Sequence, residues 1–160
     1  GTLEEAARLA ALSSQCYALE EAGGLDGVKR FLAEAGLVFR AWGSSKSTRW
    51  YVADAVDASA DERGAAVLRR HVLLRGVKWR DAGMDRVGLG LLAGNAWPRD
   101  FPCGLGERGL KAHSGFLTVA EEIWPVVKPL VTDPAVGPRA ELVFAGHSMG
   151  GTLGLLLCLL

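Results

Sequence analysis

The segment ELVFAGHSMGGTLGLLLCLL, residues 141–160, decides how this chain is expected to fold. Leu142-Val143-Phe144-Ala145 is a short continuous apolar run, the pattern of a central strand buried on both faces. Residues 152–160 are apolar at almost every position and begin a helix. Between the two lies Gly146-His147-Ser148-Met149-Gly150, a Gly-x-Ser-x-Gly turn in the strand-to-helix context that this motif requires. Such a turn brings strand, helix and serine backbone close together. Side chains two residues before and two after the serine would clash, so glycine is favoured at both places.

A serine hydroxyl is a weak nucleophile until a base takes its proton, and it must project from the backbone toward its target. The turn does the projecting. It also puts Ser148 at a helix N-terminus, where the backbone N–H of Met149 points at any developing oxyanion with the helix dipole behind it. His147 is next in sequence but is not the expected base. Adjacent residues on this turn point in different directions, and the base normally arrives from a distant loop. His147 is expected to pack or to hydrogen-bond.

Upstream, Thr2-Leu3-Glu4-Glu5 has the form of a capping box, with Thr2 as N-cap and Glu5 three residues on. Leu3, Leu9, Leu12 and Leu19 give the following helix an apolar side, and Gly23-Gly24 ends it. Asp26 is positioned to cap a second short helix that runs to Ala35 and closes at Gly36. Residues 37–42, 50–56 and 66–74 have the composition of strands. The short links between them predict adjacent antiparallel neighbours. From 76 to 111 the pattern breaks down into a Gly-rich stretch, which predicts a long functional loop or a loop with one short helix. Residues 114–131 are apolar at helical spacing, and Pro125 and Pro129 are expected to kink or divide that helix. Residues 132–139 form a loop. No internal repeat or low-complexity linker is present.

Composition bounds the function classes. With 160 residues, 49% hydrophobic and 22% charged, the chain is ordinary for one domain with its own core. Formal net charge is zero, which leaves no electrostatic footprint for nucleic acid. Cys16, Cys103 and Cys158 are too sparse and too widely spaced for a disulfide framework or a zinc site, and they favour a reducing, intracellular compartment over secretion. A single pairing such as Cys16 with Cys103 stays open. The apolar tail 152–160 is too short to span a bilayer, which takes about 20 residues. No secretory signal is visible, although the chain opens on Gly1 and not on Met. Nothing calls for a metal or organic cofactor.

Four motifs in register resemble the fungal-type, or class 3, triacylglycerol lipases of the α/β-hydrolase superfamily. Leu74-Arg75-Gly76 is similar to that family's strand ending in Phe-Arg-Gly-Thr. Asp81-Ala82-Gly83-Met84-Asp85 is similar to its Asp-Trp-x-x-Asp segment, with Ala82 in place of the usual Trp. His113-Ser114-Gly115-Phe116 matches its His-x-Gly-Phe before a helix. Gly146-His147-Ser148-Met149-Gly150-Gly151 is the fourth. The resemblance runs from about Trp50 onward.

The resemblance implies an α/β fold: a partial α/β-hydrolase domain over residues 1–160. Helices occupy 1–36, and antiparallel strands lead into a mixed sheet over 37–160, up to a strand, nucleophile elbow and helix. It implies Ser148 as nucleophile and an oxyanion hole made of the backbone N–H groups of Val77 and Met149. Many family members carry Thr or Ser where this chain has Val77, so that side chain adds no donor, and losing one donor can cost about 10²–10³ in rate. Asp81 and Asp85 would organise the loop near the site, and His113 would be structural. His71, inside a strand pattern, is expected to be structural too.

In α/β-hydrolases the triad runs Ser, then Asp or Glu, then His. Residues 149–160 contain none of these, so the acid and the base are expected beyond residue 160. An all-apolar 155–160 with no stop signal and an unpaired sheet edge lead to the same expectation: a C-terminally truncated piece that is inactive alone. The expected activity of the whole is a serine carboxylic ester hydrolase acting on acyl lipids, with peripheral contact to lipid interfaces. Leu89, Leu91, Leu92, Trp97 and Phe101 in the 76–111 loop would form a lid or an acyl-binding surface, unless the loop is an ordinary insertion. Two alternatives stay open. One is a generic esterase or thioesterase of the same superfamily. The other is a catalytically degenerate binding module.

Overall fold

The computed structural model describes residues 2–45, 47–56, 67–76, 98–101 and 109–160. Two helices open the chain, α1 (Leu3–Ala18) and α2 (Gly24–Glu34). Three strands follow, β1 (Val38–Ser44), β2 (Arg49–Val56) and β3 (Val67–Leu74). Then come the short strands β4 (Pro98–Asp100) and β5 (Lys111–His113), the helix α3 (Ser114–Val131) and a 3₁₀ turn (Pro134–Val136). Strand β6 (Glu141–Gly146) and helix α4 (Met149–Leu159) complete the order. The fold is α/β with a mixed sheet in the order β1-β2-β3-β6. The pairs β1–β2 and β2–β3 are antiparallel, whereas β6 runs parallel to β3.

Alternation along the strands builds two cores. On one face Trp50 and Val52 of β2 and Val72 and Leu74 of β3 pack with Leu117, Ile123 and Val127 of α3 and Leu153 and Leu157 of α4. On the other face Tyr51, Ala53 and Leu73 pack with Leu12 and Cys16 of α1 and Val28 and Leu32 of α2. A period of two in the strands therefore separates two helical layers. The second face is pinned by polar atoms as well. Tyr51 Oη donates to Leu12 O at 2.6 Å, and Cys16 Sγ donates to Leu73 O at 3.4 Å.

One buried charge cluster ties the first face to α3. Asp54, on the same side of β2 as Trp50 and Val52, is fully buried. It accepts from Arg40 Nε at 2.7 Å and from Arg70 Nε and Nη2 at 2.7 Å each. Arg70 also donates to Leu130 O, a carbonyl in the last turn of α3 that has no partner within the helix. Burial alone would raise the Asp54 pKa. The hydrogen bonds and charges of Arg70 and Arg40 outweigh it and hold the carboxyl below the usual range. At the edge of the sheet, Arg69 reaches Glu5 of α1 at 2.8 Å and Glu141 of β6 at 2.6 Å.

The elements follow the sequence reading with four differences. Thr2 Oγ1 accepts from Glu5 N at 3.2 Å, as a cap should. The cap of α2, however, is Gly23 at φ +74°, and Asp26 lies inside the first turn, where its charge still favours the helix N-terminus. Helix α3 runs undivided through Pro125 and Pro129. Both prolines are exposed, so the carbonyls that lose a partner face water, while the buried Ile123 and Val127 keep the helix on the sheet. Part of the 76–111 stretch is ordered structure: β4 pairs with β5, and Phe101 N donates to Leu110 O at 2.9 Å. Finally, β6 is not central among the described residues. It pairs with β3 alone, and Leu142 is 42% exposed. Residues 57–65, the link between the second and third expected strands, lie outside the described residues.

Candidate functional site

The turn from β6 into α4 has a backbone that sequence composition alone would not produce. Ser148 has φ +55° and ψ −124°, and it is the only non-glycine with positive φ among the described residues. Serine enters that region at a cost of about 1–3 kcal/mol and stays there only when its surroundings fix it. The surroundings are backbone. A Cβ on Gly146 would stand 2.3 Å from Gly150 C and 2.7 Å from Leu74 O. A Cβ on Gly150 would stand 2.3 Å from Leu74 O. Strand β3, strand β6 and helix α4 thus converge on two positions that have no room for a side chain.

The hydrogen bonds of the turn do not use the N–H of Met149. Gly150 N donates to His147 O and Gly151 N to Ser148 O, each at 2.9 Å. Met149 N, between the serine and these two, donates to no acceptor among the described residues. It sits at the N-terminus of the eleven-residue α4, where the partial positive charge of the helix is concentrated. The Ser148 side chain is exposed and makes no hydrogen bond among the described residues. An exposed hydroxyl beside an unused N–H at a helix start is an arrangement suited to a nucleophile and an oxyanion donor.

The end of β3 closes on the same spot. A Cβ on Gly76 would lie 2.5 Å from His147 O, 3.1 Å from Ser148 Cβ and 3.2 Å from Tyr17 Oη. Tyr17, in the last turn of α1, meets His147 Nδ1 at 3.1 Å. Its ring carries the Arg75 guanidinium at 5.8 Å on another side. Burial raises the Tyr17 pKa, and Arg75 partly offsets that. Arg75 is fully buried and is fixed from several directions. Its Nη1 donates to Glu20, its N donates to Arg49 O at 2.8 Å, and its O accepts from Thr48 Oγ1 at 2.8 Å. Arg75 Nε and Nη2 have no hydrogen-bond partner among the described residues. Glu20 balances the charge, and the guanidinium also stands over the face of Tyr17.

A cleft of about 500 Å³ opens beside Ser148, between α1 and the turn, with Ala6, Leu9, Ala10 and Ala145 in its wall. Ser13 and Ser14 also line it. Their hydroxyls donate back to Leu9 O at 2.8 Å and Ala11 O at 2.7 Å, so they add little polarity to the cleft.

Of the residues singled out in the sequence, Ser148 and Met149 therefore lie together. Val77, Asp81, Asp85, Leu89, Leu91, Leu92, Trp97 and Cys103 lie outside the described residues. His113 caps α3, accepting from Gly115 N through Nδ1 at 3.2 Å, a structural position. His71 is buried within β3, where burial lowers its pKa. Cys16 is fully buried and burial pushes its thiol up to about 12, which makes it a packing residue and not a nucleophile. Tyr17 was missed in the sequence, because on α1 only the apolar spacing was legible.

No group of metal-ligating side chains and no helix long and apolar enough to cross a membrane occurs among the described residues. No family model, curated protein or solved structure matches this chain.

Proposed function

We propose that this chain carries the nucleophile of a serine carboxylic ester hydrolase acting on acyl lipids, of the kind its four motifs resemble. The observation that carries the reading is the backbone of Ser148, φ +55° and ψ −124°, held between two glycines that admit no side chain. Strain of this kind persists where a group must be presented, and the group presented is a hydroxyl.

In this reading Ser148 Oγ attacks the ester carbonyl carbon as a base removes its proton. The oxyanion is met by Met149 N–H and, on the family resemblance, by Val77 N–H. Collapse breaks the acyl–oxygen bond, and the alcohol leaves with the proton held by the base. Water then attacks the acyl-enzyme, giving the acid and restoring Ser148. No Asp, Glu or His hydrogen-bonds Ser148 Oγ among the described residues, so this reading draws its acid and base from outside them. The apolar wall of the adjacent cleft supports an acyl substrate over a charged one.

The unengaged Ser148 Oγ also suits a second reading, a hydrolase-like binding module with no turnover. Hydrolysis of p-nitrophenyl esters by the full-length protein separates the two. The enzyme reading expects turnover that Ser148→Ala abolishes. A rate equal in both proteins favours the binding module. A rise in rate once a long-chain substrate forms an interface would place the substrate among lipids and not among soluble esters or thioesters.

A further inference from the structure

We propose that Tyr17 is a positioning residue for Ser148: from α1 it holds the His147 ring and the Arg75–Gly76 turn in one arrangement around the serine. The inference rests on the reading of Ser148 as nucleophile, and it assigns a role to a helix distant in sequence from the turn.

The strand–turn–helix unit does not fix His147 completely by itself. The carbonyl of His147 is held by Gly150 N at 2.9 Å, but its exposed ring has no hydrogen-bond partner inside that unit. The partner comes from α1. Tyr17 Oη meets His147 Nδ1 at 3.1 Å, and the two rings stand edge to face with centroids 6.3 Å apart. With both ends of His147 held, the peptide leading into Ser148 has little freedom left.

The same tyrosine touches the other backbone segment at the site. Gly76 lies where Tyr17 Oη, Ser148 Cβ and His147 O all come within 3.2 Å of the Cβ it lacks. Arg75, one residue earlier, carries its guanidinium over the Tyr17 ring. It is bound to Glu20, in the turn that follows α1. Tyr17 therefore touches two backbone segments at once, the end of β3 and the residue before the serine. A strained residue holds its conformation only when its neighbours over-determine it, and Tyr17 is the contact that links those neighbours.

The test uses the full-length protein, thermal melting, ester kinetics and covalent labelling of Ser148 by a fluorophosphonate. Tyr17→Phe keeps the ring and its contact with Arg75 and removes the hydroxyl alone. It is expected to lower kcat and the labelling rate by about 10-fold, with KM and the melting midpoint unchanged. His147→Ala gives a loss of the same size. His147→Asn, whose amide stands where Nδ1 does, restores most of it. The Tyr17→Phe, His147→Ala double variant loses no more than either single one. Nitrogen-15 spectra of the His147 ring change tautomer balance in Tyr17→Phe, a readout independent of activity. Unchanged kcat and labelling in Tyr17→Phe overturn the proposal, as do losses that multiply in the double variant. Failure of the nucleophile reading looks different: the unsubstituted protein itself neither labels nor turns over, and the proposal falls with it.

Discussion

Gly146 and Gly150 meet backbone to backbone: a Cβ on Gly146 would stand 2.3 Å from the carbonyl carbon of Gly150. The contact is between parts of the chain that cannot rotate away. Gly146→Ala and Gly150→Ala are each expected to lose about 3 kcal/mol, the upper end of overpacking costs, measured by urea denaturation. Gly27→Ala is the control. Nothing lies within 4 Å of the Cβ it would add, and Gly27 is inside α2, so that change should stabilise by about 0.5–1 kcal/mol.

Ser148 itself makes a sharper prediction. Glycine adopts its backbone angles without strain, and alanine does not. Ser148→Gly is therefore expected to raise stability by about 1 kcal/mol over Ser148→Ala, while both lose the hydroxyl. Equal melting midpoints for the two variants would mean that the turn is not strained.

The Asp54 cluster predicts acid sensitivity. The folded pKa of Asp54 lies below its unfolded value, so its contribution is complete above about pH 4 and is lost as pH falls from there toward the folded value. Asp54→Asn leaves the nearly buried Arg70 without its carboxylate and is expected to cost about 3–5 kcal/mol near neutrality, with much less difference at low pH. A pH-independent loss would contradict the assignment.

His71 acts in the same direction at higher pH. Burial lowers its folded pKa below the unfolded value, so stability is full above about pH 6.5 and declines as pH falls through the window beneath it. Nδ1 of His71 has no hydrogen-bond partner among the described residues, which removes one means of holding the charged form. His71→Leu should flatten the stability curve between about pH 7 and 5. A slope equal to that of the parent protein would show that His71 does not titrate on unfolding.

Much of the α/β order was legible because the strands are short apolar runs, buried on both faces through the middle of β2 and the end of β3. Trp50, Val52, Val72 and Leu74 alternate with Tyr51, Ala53 and Leu73, and that alternation assigns each strand two faces. The elbow was legible for a steric reason, since only glycine fits at 146 and 150. Three things were not. Strands β4 and β5 are three residues each, too short to show a period. The prolines of α3 signal a break unless one knows that positions 125 and 129 face water. The hydrogen bond between Tyr17 and His147 joins residues 130 apart, and no local pattern encodes it. His147 was expected either to pack or to hydrogen-bond; the structure shows a hydrogen bond, and its partner had to come from the fold.

The most direct measurement is covalent labelling of the folded full-length protein with a fluorophosphonate, followed by mass-spectrometric mapping of the modified peptide. The account predicts one phosphonyl group on Ser148, absent from Ser148→Ala and absent after denaturation. A folded protein that takes no label on Ser148, or that labels equally well in Ser148→Ala, would contradict it.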